Sequence, residues 1–224
     1  MQRRNRVFDV LSPEVARSGS FAEHTKPSIV DRFGVWLSRR SITRHTGDLN
    51  GARVADIGCG FQATLARSLM PKASHITLLD LSVAPDLLVN DKVTALVGPF
   101  ENTMARIPDK SIDTLFCISV LEHLADDRTA LKEFRRVLTD DGTMVVNVPS
   151  WWGKAALEFS AFRLRLSPAE EMDDHKRYYD PRDLWPLLVE AGFVPHGIRC
   201  RRHKFGLNTL AVCRVAQPYR EDSK

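Results

Sequence analysis

Residues 54–69 read VADIGCGFQATLARSL. The stretch begins apolar, reaches an acid at Asp56, breaks into Gly58-Cys59-Gly60 and resumes with helix-forming residues. That order predicts a strand, a tight turn and a helix. Glycine suits a backbone that must turn sharply or let a ligand come close. The helix start beyond the turn presents free N–H groups.

The same alternation continues outward. RVADIG is a strand and FQATLARSLM a helix; SHITLLDL is a strand and APDLLVN a short helix; KVTALVG is a strand. SIDTLFCISV is a strand apolar enough to be covered on both faces. DDRTALKEFRRVL is an amphipathic helix with Leu131, Phe134, Val137 and Leu138 on its inner side, and DGTMVVNVP is a strand that follows a D-G turn. Residues 150–180 carry no strand pattern and are rich in aromatics. PRDLWPLLVEAGF is a helix punctuated by Pro181 and Gly192. FVPHGIRCRRHK and FGLNTLAVCRV are two strands turning at Phe205-Gly206, an antiparallel hairpin at a sheet edge. The fold class expected is therefore α/β: a Rossmann-like three-layer sandwich on a mostly parallel seven-stranded sheet, with a C-terminal antiparallel hairpin. Residues 1–50, helical around PSIVDRFGVWLSRRSI, are expected to cap it as a lid. Residues 51–215 form the main domain, with a lid insertion at about 150–180, and 216–224 form a tail.

With 224 residues, 43% hydrophobic and 27% charged, the chain has the length and composition of one globular domain with its own core. No window approaches 18 apolar residues, so no transmembrane segment is expected. MQRRNRVFDVLSPEV has neither the apolar core nor the cleavage site of a signal peptide. Cys59, Cys117, Cys200 and Cys213 show no CxxC pairing; reduced thiols in a cytoplasmic protein are expected, and no metal. The net charge of +4 is mild, and its basic runs at 2–6, 39–44 and 199–204 lack interleaved aromatics, so no nucleic acid is expected. A monomer or homodimer is anticipated.

An open parallel sheet binds ligands beyond its strand ends, where strand order reverses. There the glycine turn meets Asp80, on the tip of the second strand, an acid able to accept both ribose hydroxyls of an adenosine ligand. GCGFQA fits the G-x-G-x-x-A of a dinucleotide site. Asp56, however, would repel a pyrophosphate and favour the cationic ammonium and sulfonium of S-adenosylmethionine.

VADIGCGF resembles the first motif of the class I S-adenosylmethionine-dependent methyltransferases. Leu79-Asp80 resembles their second. IPDKSIDTLFCISVLEHL, ALKEFRRVLTDDGTMVVNVPS and HKRYYDPRDLWPLLVEAGF resemble, in order, three later segments of the small-molecule branch. The resemblance spans about residues 50–215. It implies a methyl transfer from S-adenosylmethionine to a small-molecule acceptor at O, N or C, leaving S-adenosylhomocysteine. The expected cofactor residues are Asp56, Gly58, Cys59, Gly60, Asp80, Leu81, Phe100, Ile118 and Ser119. Two positions depart from the family pattern: Gln62 replaces a frequent glycine, and Pro99 replaces a frequent acid near the adenine. The other readings of this fold are a non-catalytic or a nucleic-acid-directed protein.

His123 lies just past the fourth strand, where a residue of near-neutral pKa can take a proton from an acceptor. It is the candidate catalytic base. Trp36, Trp151, Trp152, His175, Tyr178 and Tyr179 are the candidate acceptor contacts. Their aromatic character and the mild basic bias lean toward an apolar or anionic acceptor.

Overall fold

The computed structural model describes residue 46, residues 48–159 and residues 177–215. Seven strands, β1 Arg53–Ile57, β2 His75–Asp80, β3 Val93–Val97, β4 Ile112–Ile118, β5 Leu138–Pro149, β6 Ile198–His203 and β7 Asn208–Arg214, form one sheet. Their order is β3-β2-β1-β4-β5-β7-β6. All pairs from β3 through to β5 are parallel, and β7 runs antiparallel to both β5 and β6. Strand order reverses between β1 and β4, which places the crevice beyond their carboxyl ends. The described helices are α1 Thr64–Leu69, α2 Pro85–Leu88, α3 Phe100–Thr103, α4 Asp127–Val137, α5 Trp151–Phe159 and α6 Pro181–Glu190.

Side-chain alternation along the strands divides the core in two. Val54, Ile76, Leu78, Phe116, Val145 and Leu210 face one side, where Ala66, Leu69 and Leu87 cover them from α1 and α2. Ala55, Ile57, Leu115, Cys117, Met144 and Val146 face the other, under Leu131 and Phe134 of α4 and Leu184 and Leu188 of α6. α4 begins at Asp126, whose carboxylate accepts the Thr129 N–H at 3.0 Å. α6 begins at Pro181, and the Asp183 carboxylate accepts the Asp180 N–H at 2.9 Å.

Three local expectations change. Leu138 belongs to β5 rather than to α4. Asp141-Gly142 lies within β5 rather than in a turn before it: the register shifts between Ile112↔Leu138 and Thr114↔Thr143, and the Val215 N–H donates to the Gly142 carbonyl. The last hairpin starts at Ile198, because Pro195–Gly197 form a 3-10 turn first. The expected N-terminal lid, with Trp36, lies outside the described residues apart from Thr46 and 48–50. So do residues 160–176, with His175, and the 216–224 tail.

Candidate active site

Gly58 and Gly60 both take left-handed backbone, at φ 68° and φ 70°. The Gly58 N–H donates to the Leu79 carbonyl at 2.7 Å. A Cβ on Gly58 would lie 2.0 Å from Cγ2 of Val120, so no side chain fits there. Asp80 closes the turn from β2. Its Oδ2 accepts the Gly60 N–H at 2.6 Å and its Oδ1 accepts the Leu81 N–H at 2.7 Å. The loop is thus tied at both glycines to the second strand. Gln62 is exposed and spares the loop, while buried Ala63 takes the left-handed position at φ 42°.

Asp56 lies beneath this loop, buried, with no hydrogen-bond partner for Oδ2. Burial pushes its carboxyl up to about 7, the Ala66 backbone N–H draws it down, and the charge of Asp80 raises it further. An orphaned buried carboxylate oxygen calls for a partner. The Cys59 thiol is pushed up by burial and then by Asp56 and Asp80, which leaves it an unreactive wall. An acid wanting a cation, a glycine loop and an acid on the next strand tip form a donor set that fits S-adenosylmethionine.

Past β4 the chain turns sharply. Exposed Ser119 is left-handed at φ 57°, and its N–H donates to the Asn147 carbonyl at 2.8 Å. A 3-10 turn, Leu121–His123, follows; it buries Glu122 and leaves His123 half-buried. Ile118 is paired with Asn147 across the β4–β5 ladder. Asn147 is 1% exposed, and neither Oδ1 nor Nδ2 has a hydrogen-bond partner. By strand alternation it shares the face of Asp56 and Ile118. Phe100, at the start of α3, is half-buried and meets Phe134 edge-on at 5.8 Å, so its ring serves the core.

A cleft of about 390 Å³ is lined by Trp151, Lys154, Arg177, Tyr178, Tyr179, Asp183 and Leu187. Three of the expected acceptor residues, Trp151, Tyr178 and Tyr179, come together here. The Trp151 and Tyr178 rings lie 5.6 Å apart, and Trp151 Nε1 donates to Asp183 at 3.2 Å. Lys154 Nζ sits 5.9 Å from the Tyr178 ring centre. The Tyr179 hydroxyl donates to buried Asp127 at 2.8 Å, and Arg177 pairs with the same carboxylate at 2.5 Å. Arg177 also donates to the Ala125 carbonyl at 3.3 Å, which links the cleft to the segment after His123. Trp152 is turned away, 61% exposed and next to Gly206. Sequence reasoning passed over Asn147, Lys154 and Arg177. Only Asn147 left a signal, as one amide inside the apolar run MVVNVP.

Residues 55–146 match the methyltransferase domain family. Two bacterial ubiquinone biosynthesis O-methyltransferases are relatives. That of Aeromonas salmonicida is 26% identical over 165 residues, covering 68% of this chain and 67% of its own length. That of Xylella fastidiosa is 29% identical over 156 residues, covering 64% and 61%. The match thus spans about two thirds or less of those relatives' length. Among solved structures, an S-adenosylmethionine-dependent methyltransferase of Mesorhizobium loti superposes with a TM-score of 0.59 at 15% identity, over 80% of this chain and 97% of that one. One from Archaeoglobus fulgidus gives 0.59 at 15%, over 82% and 93%. These two show the fold. The domain match and these relatives, taken with the glycine loop, the unpartnered Asp56 oxygen and the strand-tip Asp80, lead to one conclusion: residues 55–146 form a methyltransferase domain whose cofactor is S-adenosylmethionine.

Proposed function

We propose that this protein methylates a small aromatic acceptor that carries a hydroxyl and an anionic or polar group. The cleft carries this reading: its walls are aromatic rings, and Lys154 and Arg177 supply positive charge. Arg177 shares its charge with Asp127, and Lys154 stands over the Tyr178 ring in the same cleft. The relatives named for ubiquinone O-methylation favour oxygen as the methylated atom.

When bound, S-adenosylmethionine supplies an electrophilic methyl on a sulfonium whose leaving group is a neutral thioether. Asp56 would hold its cationic end and Asp80 its ribose. A carboxylate has about four acceptor sites, so holding the Gly60 and Leu81 N–H groups does not use Asp80 up. Gly58, Cys59, Gly60 and Leu81 would shape the loop around it, and Ile118 and Ser119 would flank its methionine part. Phe100, half-buried against Phe134, would flank the adenine with the exposed part of its ring. His123 would take the proton of a hydroxyl acceptor. Alignment in a dry pocket is worth up to roughly 7–11 kcal/mol for such a displacement. Free thiols at all four cysteines suit a cytoplasmic setting.

Titration calorimetry with S-adenosylmethionine on the native chain and on Asp80→Ala tests the cofactor half. Binding by the native chain, much weakened in the variant, is expected. Release of S-adenosylhomocysteine from a panel of phenols and catechols, with and without a carboxylate, tests the other half. Lys154→Ala should raise KM several-fold for the carboxylated set alone. A folded native chain that binds no S-adenosylmethionine would refute the reading.

A further inference from the structure

The turn joining β6 to β7 has an unusual residue at its tip. The Leu207 N–H donates to the Lys204 carbonyl at 3.1 Å, with Phe205 at φ 57°, ψ 25° and Gly206 at φ 89°. That is type I′ geometry, whose first central position ordinarily takes Asn, Asp or Gly. A bulky residue there is an outlier. Phe205 is also 96% exposed, so neither the core nor the cleft uses its ring. Trp152, 61% exposed, lies against Gly206, and Leu207 is 36% exposed.

This apolar knob is held firmly. The Ser150 hydroxyl donates to the Gly206 carbonyl and its N–H to the Leu207 carbonyl at 3.0 Å. Gly153 has no room for a Cβ, which would lie 2.1 Å from the Leu207 carbonyl oxygen. Along edge strand β6, Arg199, Arg201 and Arg202 are exposed, Arg201 and Arg202 toward the turn and on opposite faces of the strand. Arg202 pairs with Asp180 at 3.7 Å. The turn stands at the carboxyl end of β5, the end that carries the glycine loop and the cleft.

We infer that this end of the molecule docks on an anionic lipid bilayer. Phe205, Trp152 and Leu207 enter the interface, where aromatic side chains are favoured, and the β6 arginines meet the headgroups. A single-stranded nucleic acid stacks its bases on a flat aromatic platform; a convex turn bearing Leu207 is not one. The docking holds whichever acceptor the cleft takes, and it sets the mouth of the site at a surface where apolar acceptors dissolve.

Sedimentation of the full chain with vesicles tests the inference. Vesicles of equal parts phosphatidylglycerol and phosphatidylcholine should carry the protein down at low salt, and pure phosphatidylcholine should not. Phe205→Asn and the double variant Arg201→Glu/Arg202→Glu should each lower the bound fraction about tenfold. Asn suits the left-handed position, so Phe205→Asn keeps its fold, checked by circular dichroism and by unchanged S-adenosylmethionine binding. No sedimentation with anionic vesicles, or equal sedimentation of the native chain and Phe205→Asn, would overturn the docking. So would RNA-hairpin binding lost in the same variants while vesicles bind nothing; it would give the surface to nucleic acid.

Discussion

Asp56 is a buried carboxyl with one unpartnered oxygen, and burial sets its titration. Its raised carboxyl, at about 7, is neutral in the folded chain at low pH and ionised above. The sign follows from linkage: a buried acid whose folded value exceeds its unfolded one stabilises least when ionised. Stability should therefore fall as pH rises from about 4 to about 7, by a total on the order of 4 kcal/mol, and then level off. Asp56→Asn should flatten that slope, read by thermal melts across the range. On the proposed placement of the cofactor, its cationic end prefers the ionised form, so its binding should release a proton below pH 7. Affinity for S-adenosylmethionine should rise roughly fivefold or more from pH 6 to pH 7.5 in the native chain and stay flat in Asp56→Asn. Equal pH slopes in calorimetry for the two proteins would remove Asp56 from the cofactor's cationic end.

Among the elements, β5 shows how a strand can be both core and site. It runs twelve residues, parallel to β4 on one side and antiparallel to β7 on the other, with eight consecutive buried positions. The apolar letters of MVVNVP make that burial legible from sequence. Asn147 breaks the pattern, and its unpartnered amide costs about 1–3 kcal/mol where it stands. Asn147→Val is close in size and has nothing left to satisfy. It should raise Tm by about 2–6 °C in differential scanning calorimetry. A side chain kept polar at such a cost beside Ile118 is expected to serve the ligand end, so the same variant should lose turnover while gaining stability. A lower Tm would mean that the amide has a structural partner and no such role.

Across the whole molecule, what the sequence made legible was local. The glycine turn, the strand-tip acid and the strand–helix alternation each declare themselves within a few residues, and the fold follows from repeating them. The D-G signal misled because its neighbours in space decide it: Ile112 and Val215, far along the chain, draw residues 138–142 into the sheet. The cleft was half hidden for the same reason. Its aromatics announce themselves, but Lys154 and Arg177 gain meaning only when α5 and the 177–179 segment meet. Asp127 does that joining, at 8% side-chain exposure, by holding both the Tyr179 hydroxyl and Arg177 from the first turn of α4. Tyr179→Phe removes one hydrogen bond and should cost about 1–2 kcal/mol. Arg177→Met takes away the charge partner of a buried carboxylate; discounted for the half-exposed guanidinium, it should cost about 1–3 kcal/mol. Because this network stands on the cleft side and Asp80 on the glycine side, the two halves should fail separately. Both variants should raise acceptor KM and leave S-adenosylmethionine affinity within about twofold, while Asp80→Ala does the reverse. Cofactor affinity falling in step with the acceptor in Tyr179→Phe would mean that one coupled pocket, rather than two adjoining ones, spans the carboxyl end of the sheet.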